Sequence, residues 1–109
     1  MYWRYFIMEC IYFIRNTVTN SIKVGRASNA QKRLRDLQTG NEFQLVIYKT
    51  IESKSHKRIV KLEKQLHDYF RANIIKRFDF TQGRYVETEW FTITLDQVDY
   101  IIDNLKILA

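Results

Sequence analysis

Apolar positions fall into short strand-like runs near the start of the chain and into helical spacing later. Cys10–Arg15 (CIYFIR) is short, apolar and aromatic, which predicts a strand. Asn16–Ser21 is polar and turn-prone, and Ile22 and Val24 then alternate with Lys23. The two runs predict a β-hairpin with a loop of about five residues. Gly25 ends it. Ser28 and Gln31 have the spacing of a capping box, and Ala30, Leu34 and Leu37 follow at helical spacing. Gly40 stands where a C-cap glycine belongs, closing a helix of roughly three turns. Phe43–Ile51 is rich in β-branched and aromatic residues and predicts a third strand.

His56–Ala72 has the clearest helical pattern, with Ile59, Leu62, Leu66, Tyr69 and Phe70 at intervals of three and four and Ser55 as N-cap. Asn73–Val86 is polar and basic, with a turn at Gly83 and no strand pattern. Trp90–Ile93 predicts a short strand. Thr94 and Gln97 form a second capping box, opening a last helix over about 95–107 whose face carries Val98, Ile101, Ile102 and Leu105. The order β-β-α-β-α-β-α predicts an α+β fold, a small mainly antiparallel sheet packed with about three helices. The absence of proline, the three glycines and the lack of repeats or linkers predict one domain over 1–109, with a core over about 8–95.

Composition narrows this picture. The 109 residues suffice for one modest core, and 46% hydrophobic and 15% aromatic residues exclude global disorder. The single cysteine, Cys10, permits no intrachain disulfide and fits a reducing, intracellular location, cytoplasm or nucleus. Cys10 lies in an apolar strand and reads as a core thiol. No apolar run reaches membrane-spanning length, so no membrane partner is expected. Met1–Met8 is interrupted by Arg4 and has no small-residue cleavage site, so it does not read as a secretory signal. Met1 and Met8 are both candidate starts, the second leaving Met1–Ile7 as an extension.

Charge adds direction. The net charge is +6, which for a small globular chain points to a polyanion. Residues 1–40 hold seven Lys and Arg against two Asp and Glu, and residues 41–77 hold nine against four. Residues 78–109 hold two against six. The basic surface therefore belongs to the hairpin and the first two helices, and the acidic end is separate.

There is no Walker loop, GxGxxG, CxxC pair or HExxH. The residues that stand out are Tyr12, Lys23, Gly25, Arg26, Arg33, Glu63 and His67. Together they suit a phosphodiester site, which needs an activated water, a cation on the transition-state oxygens and often a carboxylate-held metal. Tyr12 can orient or deprotonate water, Arg33 offers a planar fork to a phosphate, and Glu63 can be a hard oxygen ligand for a divalent ion. At about 100° per residue, Glu63 lies roughly 60° from the apolar centre of its helix near Leu66, with His67 roughly 100° away on the same side. A carboxylate at that border is costly without a partner or a role. Each residue also has an ordinary reading. Tyr12 can be core, and Arg33 a solvated arginine beside Lys32 and Arg35. Glu63 can be a surface partner of Arg58 or Lys64, and His67 a partly buried helix histidine. Lys54, Lys57, Arg58, Lys61 and Lys64 read as an exposed helix face, which is also how a phosphate backbone is met.

In order, these motifs resemble the GIY-YIG nuclease superfamily. Cys10-Ile11-Tyr12 aligns with its first tripeptide and Lys23-Val24-Gly25 with its second. GRASNAQKRL places Arg33 on the family arginine, and KLEKQLHDYF places Glu63 on the family glutamate. The closer similarity is to short GIY-YIG-like proteins of phages and large DNA viruses, carried by IKVG, RLRDLQTGN, LEKQLHDYF and the late Glu89-Trp90-Phe91. It covers about residues 8–95. The chain departs from the nuclease pattern at Cys10, which replaces a glycine, and at Lys23, which replaces a tyrosine and is common in that branch. Leu37 stands where some active members have histidine, and His67 can compensate.

The resemblance implies a DNA endonuclease domain acting on double-stranded or branched DNA with one Mg²⁺ or Mn²⁺. Tyr12, Arg33, Lys23 and His67 are then the catalytic residues, and Glu63 is the metal ligand. Arg26, Lys32, Arg35, Lys61 and Lys64 meet the nucleic acid, while Gly25 and Trp90 are structural. A homodimer or a second protein would supply specificity. Two alternatives stand beside it. One is a DNA-binding module of the same fold without turnover, which Lys23 favours. The other is an interaction protein that uses the acidic last helix.

Overall fold

The computed structural model describes residues 8–105. Its elements are β1 (Glu9–Asn16), β2 (Ile22–Ala27), α1 (Ala30–Gln38), β3 (Leu45–Ser53), α2 (His56–Tyr69), β4 (Ile74–Asp79), β5 (Arg84–Phe91) and α3 (Leu95–Asp103). A 3-10 turn, Arg71–Asn73, follows α2. The strands form one sheet in the order β3-β1-β2-β5-β4, with every neighbouring pair antiparallel. The fold is α+β, as the sequence pattern indicates. The question of Met1 against Met8 rests on Met1–Ile7, which lie outside the described residues. The last helix is shorter than the expected 95–107: it ends at Asp103, where Asn104 takes a non-helical cap conformation and its side chain donates to the Tyr100 carbonyl.

Strand alternation divides the core between the two faces of the sheet. On one face Ile11, Phe13, Ile22, Val24 and Phe91 pack against Ile59, Leu62 and Leu66 of α2 and Val98 and Ile101 of α3. On the other, Tyr12, Ile14 and Leu45 pack against Ala30, Leu34 and Leu37 of α1, with Trp90 beside them. Each fully buried aliphatic side chain contributes about 1.5–3 kcal/mol, so the α2–α3 face is the larger source of stability. Tyr12 and Arg33's helix thus lie on one face of the sheet, and Glu63's helix on the other.

Two helix starts agree with the sequence reading. Ser55 accepts from the backbone N–H of Arg58, and Thr94 and Gln97 form a reciprocal capping box. The start of α1 differs by one position. Its N-cap is Asn29, in extended conformation, whose Oδ1 accepts from the Lys32 backbone N–H at 3.0 Å. Ser28 and Gln31 are therefore not the capping box. Gly40 has φ +79°, a left-handed turn residue just beyond the cap.

The third strand starts at Leu45 rather than Phe43 because the Gln38 side chain pins the preceding loop. Its amide donates to the carbonyls of Asn41 and Phe43, and its Oε1 accepts from the Leu45 N–H at 2.8 Å. The larger difference lies after α2. Residues 74–91 form a complete hairpin, β4 and β5, where the pattern shows only one short strand at 90–93. Most of this hairpin is exposed on both sides. Its strands bury no continuous apolar face, so no alternation marks them.

Part of the acidic end is used internally. Asp99 of α3 accepts from Lys49 Nζ at 2.7 Å and from the Tyr48 hydroxyl at 2.9 Å. Lys49 and then Tyr48 hold its carboxyl below the usual carboxylate range.

Candidate nucleic-acid and metal site

In the hairpin register Tyr12 lies directly opposite Gly25, and Ile14 opposite Lys23. Tyr12 is 1% exposed, and its ring crosses over Gly25. A Cβ on Gly25 would collide with the Tyr12 hydroxyl oxygen and lie 2.5 Å from Cζ. Gly25 is required by this close approach, since its φ is not left-handed. Gly25→Ala is expected to lower stability by about 1–3 kcal/mol through overpacking and to displace the Tyr12 hydroxyl. Thermal unfolding measures the first effect. A variant as stable as the wild type would show that the ring has room to move.

The ladder between β2 and β5 is short. It consists of Ile22 opposite Phe91 and Lys23 opposite Trp90. Beyond Lys23 the strands part, and this split lets groups from both faces of the sheet approach each other. The Lys23 side chain, 9% exposed, reaches Glu89 of β5 at 3.0 Å, and its ammonium lies 5.8 Å from the Trp90 ring centroid.

On the α1 side, the Arg33 guanidinium lies close enough to the Tyr12 hydroxyl for the two groups to shift each other's pKa. Burial raises the Tyr12 pKa above its ordinary value of 10.0, and Arg33 only partly offsets that. Tyr12 also feels Glu89 and Glu63, and Arg33 feels Glu89. Arg26, Asn29, Lys32 and Arg33 line a shallow groove at the start of α1.

On the α2 side, Glu63 is 21% exposed, at the helix border that the angular argument indicates. Its partner is Arg26, whose Nε donates to Oε1 at 3.3 Å, rather than Arg58 or Lys64. His67 Nε2 lies 2.7 Å from the Val24 carbonyl oxygen. A carbonyl can only accept, so Nε2 carries the hydrogen, and Nδ1 is the nitrogen left to act as a ligand. The ring also packs on Phe91, with centroids 5.3 Å apart. Glu63, His67 and Glu89 each offer one ligand atom, and these lie within 4.8 Å of one another. Two carboxylates and an imidazole suit Mn²⁺ and, through the oxygens, Mg²⁺. The hydrogen bond from His67 to a backbone carbonyl is the orienting contact that a ligating histidine commonly has.

Tyr12, Lys23, Arg33, Glu63 and His67 therefore gather around one split in the sheet, with Gly25 beneath Tyr12 and Trp90 beside Lys23. Arg26 and Lys32 border it. Arg35, Lys61 and Lys64 are exposed on outer helix faces, and Lys64 pairs with Asp68 at 3.0 Å. Glu89 is the member that sequence reasoning assigned no role. A single carboxylate before two aromatic residues has no distinguishing spacing, and its proximity to Glu63 depends on the parting of β2 from β5.

Residues 9–106 match the T5orf172 domain. No curated protein and no solved structure matches the chain. No helix among the described residues is long and apolar enough to cross a membrane.

Proposed function

We propose that this chain, which belongs to the T5orf172 domain family, is a DNA-binding domain of GIY-YIG type that hydrolyses phosphodiester bonds with one divalent ion. The observation that carries this reading is the approach of Tyr12 and Arg33 from one face of the sheet to Glu63, His67 and Glu89 from the other. The basic groove of Arg26, Lys32 and Arg33 leads into that place and suits a phosphate backbone. Arg35, Lys61 and Lys64 extend the positive surface for non-specific contact. An intracellular location, and a second copy or another protein that selects the site, belong to the same proposal.

Each residue has a chemical task in this reading. Glu63 would hold the ion, Mg²⁺ or Mn²⁺, with Glu89 and His67 as the protein's further donors. When bound, the ion polarises a phosphoryl oxygen and lowers the pKa of a coordinated water. Arg33 neutralises the equatorial oxygens as charge builds on them. Tyr12, protonated at neutral pH, takes the attacking water's proton at its oxygen as it passes its own hydroxyl hydrogen to a phosphate oxygen, so the proton lost by the water ends on the phosphate. Lys23 supplies positive charge beside Glu89.

Tyr12→Phe keeps the ring over Gly25 and removes only the hydroxyl. Cleavage is expected to fall by about 10²–10⁴-fold with little change in stability, read by strand scission and thermal unfolding. Because burial raises the Tyr12 pKa, its ionisation adds no rising limb to the rate below pH 10.0. Unchanged cleavage by Tyr12→Phe would remove Tyr12 from the chemistry.

A second reading has its own observation. Lys23 replaces a hydroxyl-bearing residue of the nuclease pattern and binds Glu89 at 3.0 Å, occupying one of the three donors. A domain so arranged would bind DNA through the same groove without turnover. Fluorescence anisotropy with a duplex, repeated between about 50 and 200 mM salt, tests what both readings share, since affinity should drop steeply across that range. Strand scission in Mn²⁺ separates them.

A further inference from the structure

The β4–β5 hairpin carries a group of aromatic side chains that the site above does not use. Phe80 at its tip is 91% exposed, Tyr85 66% and Phe78 37%. They pack edge-on, with ring centroids 5.0 Å apart for Phe78 and Phe80 and 5.3 Å for Phe78 and Tyr85. Phe78 and Tyr85 are directly paired across the strands. The turn that presents them is well defined. Asp79 Oδ1 accepts from the backbone N–H groups of Thr81 and Gln82, its carbonyl accepts from Gly83, and Gly83 has φ +68°. Three exposed rings on a fixed tip present a large apolar surface to water with no contact from the core.

The surroundings indicate what covers them. Lys76 shares the face of Phe78 and Tyr85, while Arg77 and Arg84 are their sequence neighbours on the opposite face of the hairpin. The carboxylate of Asp79 is turned into the turn, and Glu87 is engaged by Arg71 at 3.4 Å. Aromatic rings with one cation on their own face and two on the reverse of the same narrow hairpin suit bases and phosphates of an unstacked strand better than an apolar protein surface. The position fits as well. Tyr85 and Glu87 share one face of β5 ahead of the bulge between Glu87 and Phe91, whereas Thr88 and Trp90 line a groove with Ile75 and Arg77 on the other. Tyr85 is four residues from Glu89, at most about 13 Å along the strand, or up to roughly four base steps.

We infer that the β4–β5 tip is a base-stacking element, in which Phe80 and Tyr85 stack on unpaired bases roughly four nucleotides from the Glu89 side of the site. This inference rests on the DNA-binding reading above and specifies its substrate class as DNA with an unpaired or branched segment beside a duplex. An intact duplex offers its bases no access to such a tip unless a step is opened, which costs a few kcal/mol. Discrimination between forked and continuous duplexes is then a property of the hairpin, while the groove of Arg26, Lys32 and Arg33 provides binding common to both.

The test compares the full chain with Phe80→Ala and with Phe80→Ala/Tyr85→Ala on a forked DNA and on a continuous duplex. The fork carries the fluorescent base 2-aminopurine about four nucleotides into the unpaired strand. The expected results are quenching of that base by the wild type, loss of quenching in the variants, and affinity for the fork reduced by about tenfold per ring removed. Duplex affinity and its salt dependence should stay the same. Equal fork binding and quenching by all three proteins would overturn the inference while leaving the DNA-binding reading intact. No binding of the wild type to either DNA would overturn that reading and the inference with it. A concentration-dependent dimer lost in Phe80→Ala, with fork binding unchanged, would assign the tip to self-association instead.

Discussion

Glu63→Gln is expected to lower strand cleavage by about 10³-fold, because it removes a charged ligand that contributes several kcal/mol of transition-state stabilisation through the ion. The substitution keeps the shape of the side chain. It leaves Arg26 without its carboxylate, but that pair is partly exposed and contributes only about 0–1 kcal/mol, so folding should persist. Mn²⁺ affinity should fall in parallel, measured by calorimetry or by the paramagnetic signal of the free ion. DNA affinity in the absence of metal should hold or rise slightly, since a negative charge beside the groove has gone. Glu89→Gln provides the companion measurement. If Glu89 is a ligand, its loss weakens Mn²⁺ binding. If it serves only to hold Lys23, Mn²⁺ affinity is unchanged.

Arg33→Ala is expected to reduce cleavage by about 10²–10³-fold, the usual consequence of removing one preorganised donor from a developing oxyanion. Arg33 is exposed and flanks the packed stripe of α1, so stability should change little. Two consequences distinguish a phosphate-binding role from a merely structural one. The salt dependence of DNA binding should flatten by about one phosphate contact. The Tyr12 pKa should rise further, because Arg33 is the group that lowers it. Arg33→Lys should recover charge but not the fork that serves the Tyr12 oxygen and a phosphate together, giving partial rescue. Full activity in Arg33→Ala would remove the residue from the chemistry.

The parts of this protein that sequence made legible are those where burial imposes a period. Ile59, Leu62 and Leu66 declare α2, and Val98 and Ile101 declare α3, because each lies on a face pressed against the sheet. The hairpin of β1 and β2 is legible for the same reason, with Val24 and Lys23 on opposite faces. Where burial does not decide, the pattern is silent. Ser28 and Asn29 are both good N-caps, and only the turn geometry selects Asn29. The β4–β5 hairpin is exposed on both sides and leaves no alternation to read. For the site, residue types at the expected places identify Tyr12, Arg33 and Glu63, and the helix angle locates Glu63 at a border. Glu89 appears at that level only as part of the Glu89-Trp90-Phe91 run, with no role attached. It joins the site only because the β2–β5 ladder ends after Lys23 and Trp90, a fact of pairing rather than of local sequence.

The split in the sheet also explains why Lys23 occupies its position. A lysine that is 7% exposed in the middle of a strand needs a partner, and Glu89 supplies one through the gap. The same contact neutralises a carboxylate that lies beside Glu63. Lys23 therefore joins the two strands near the place where a substrate phosphate would enter.

The most direct test is incubation of the purified chain with supercoiled plasmid and Mn²⁺ at low salt. The account predicts conversion to nicked circles that stops on chelation of the metal and is absent with Glu63→Gln, although that variant still binds the plasmid. Equal nicking by both proteins, or binding without nicking at any metal concentration, would contradict it.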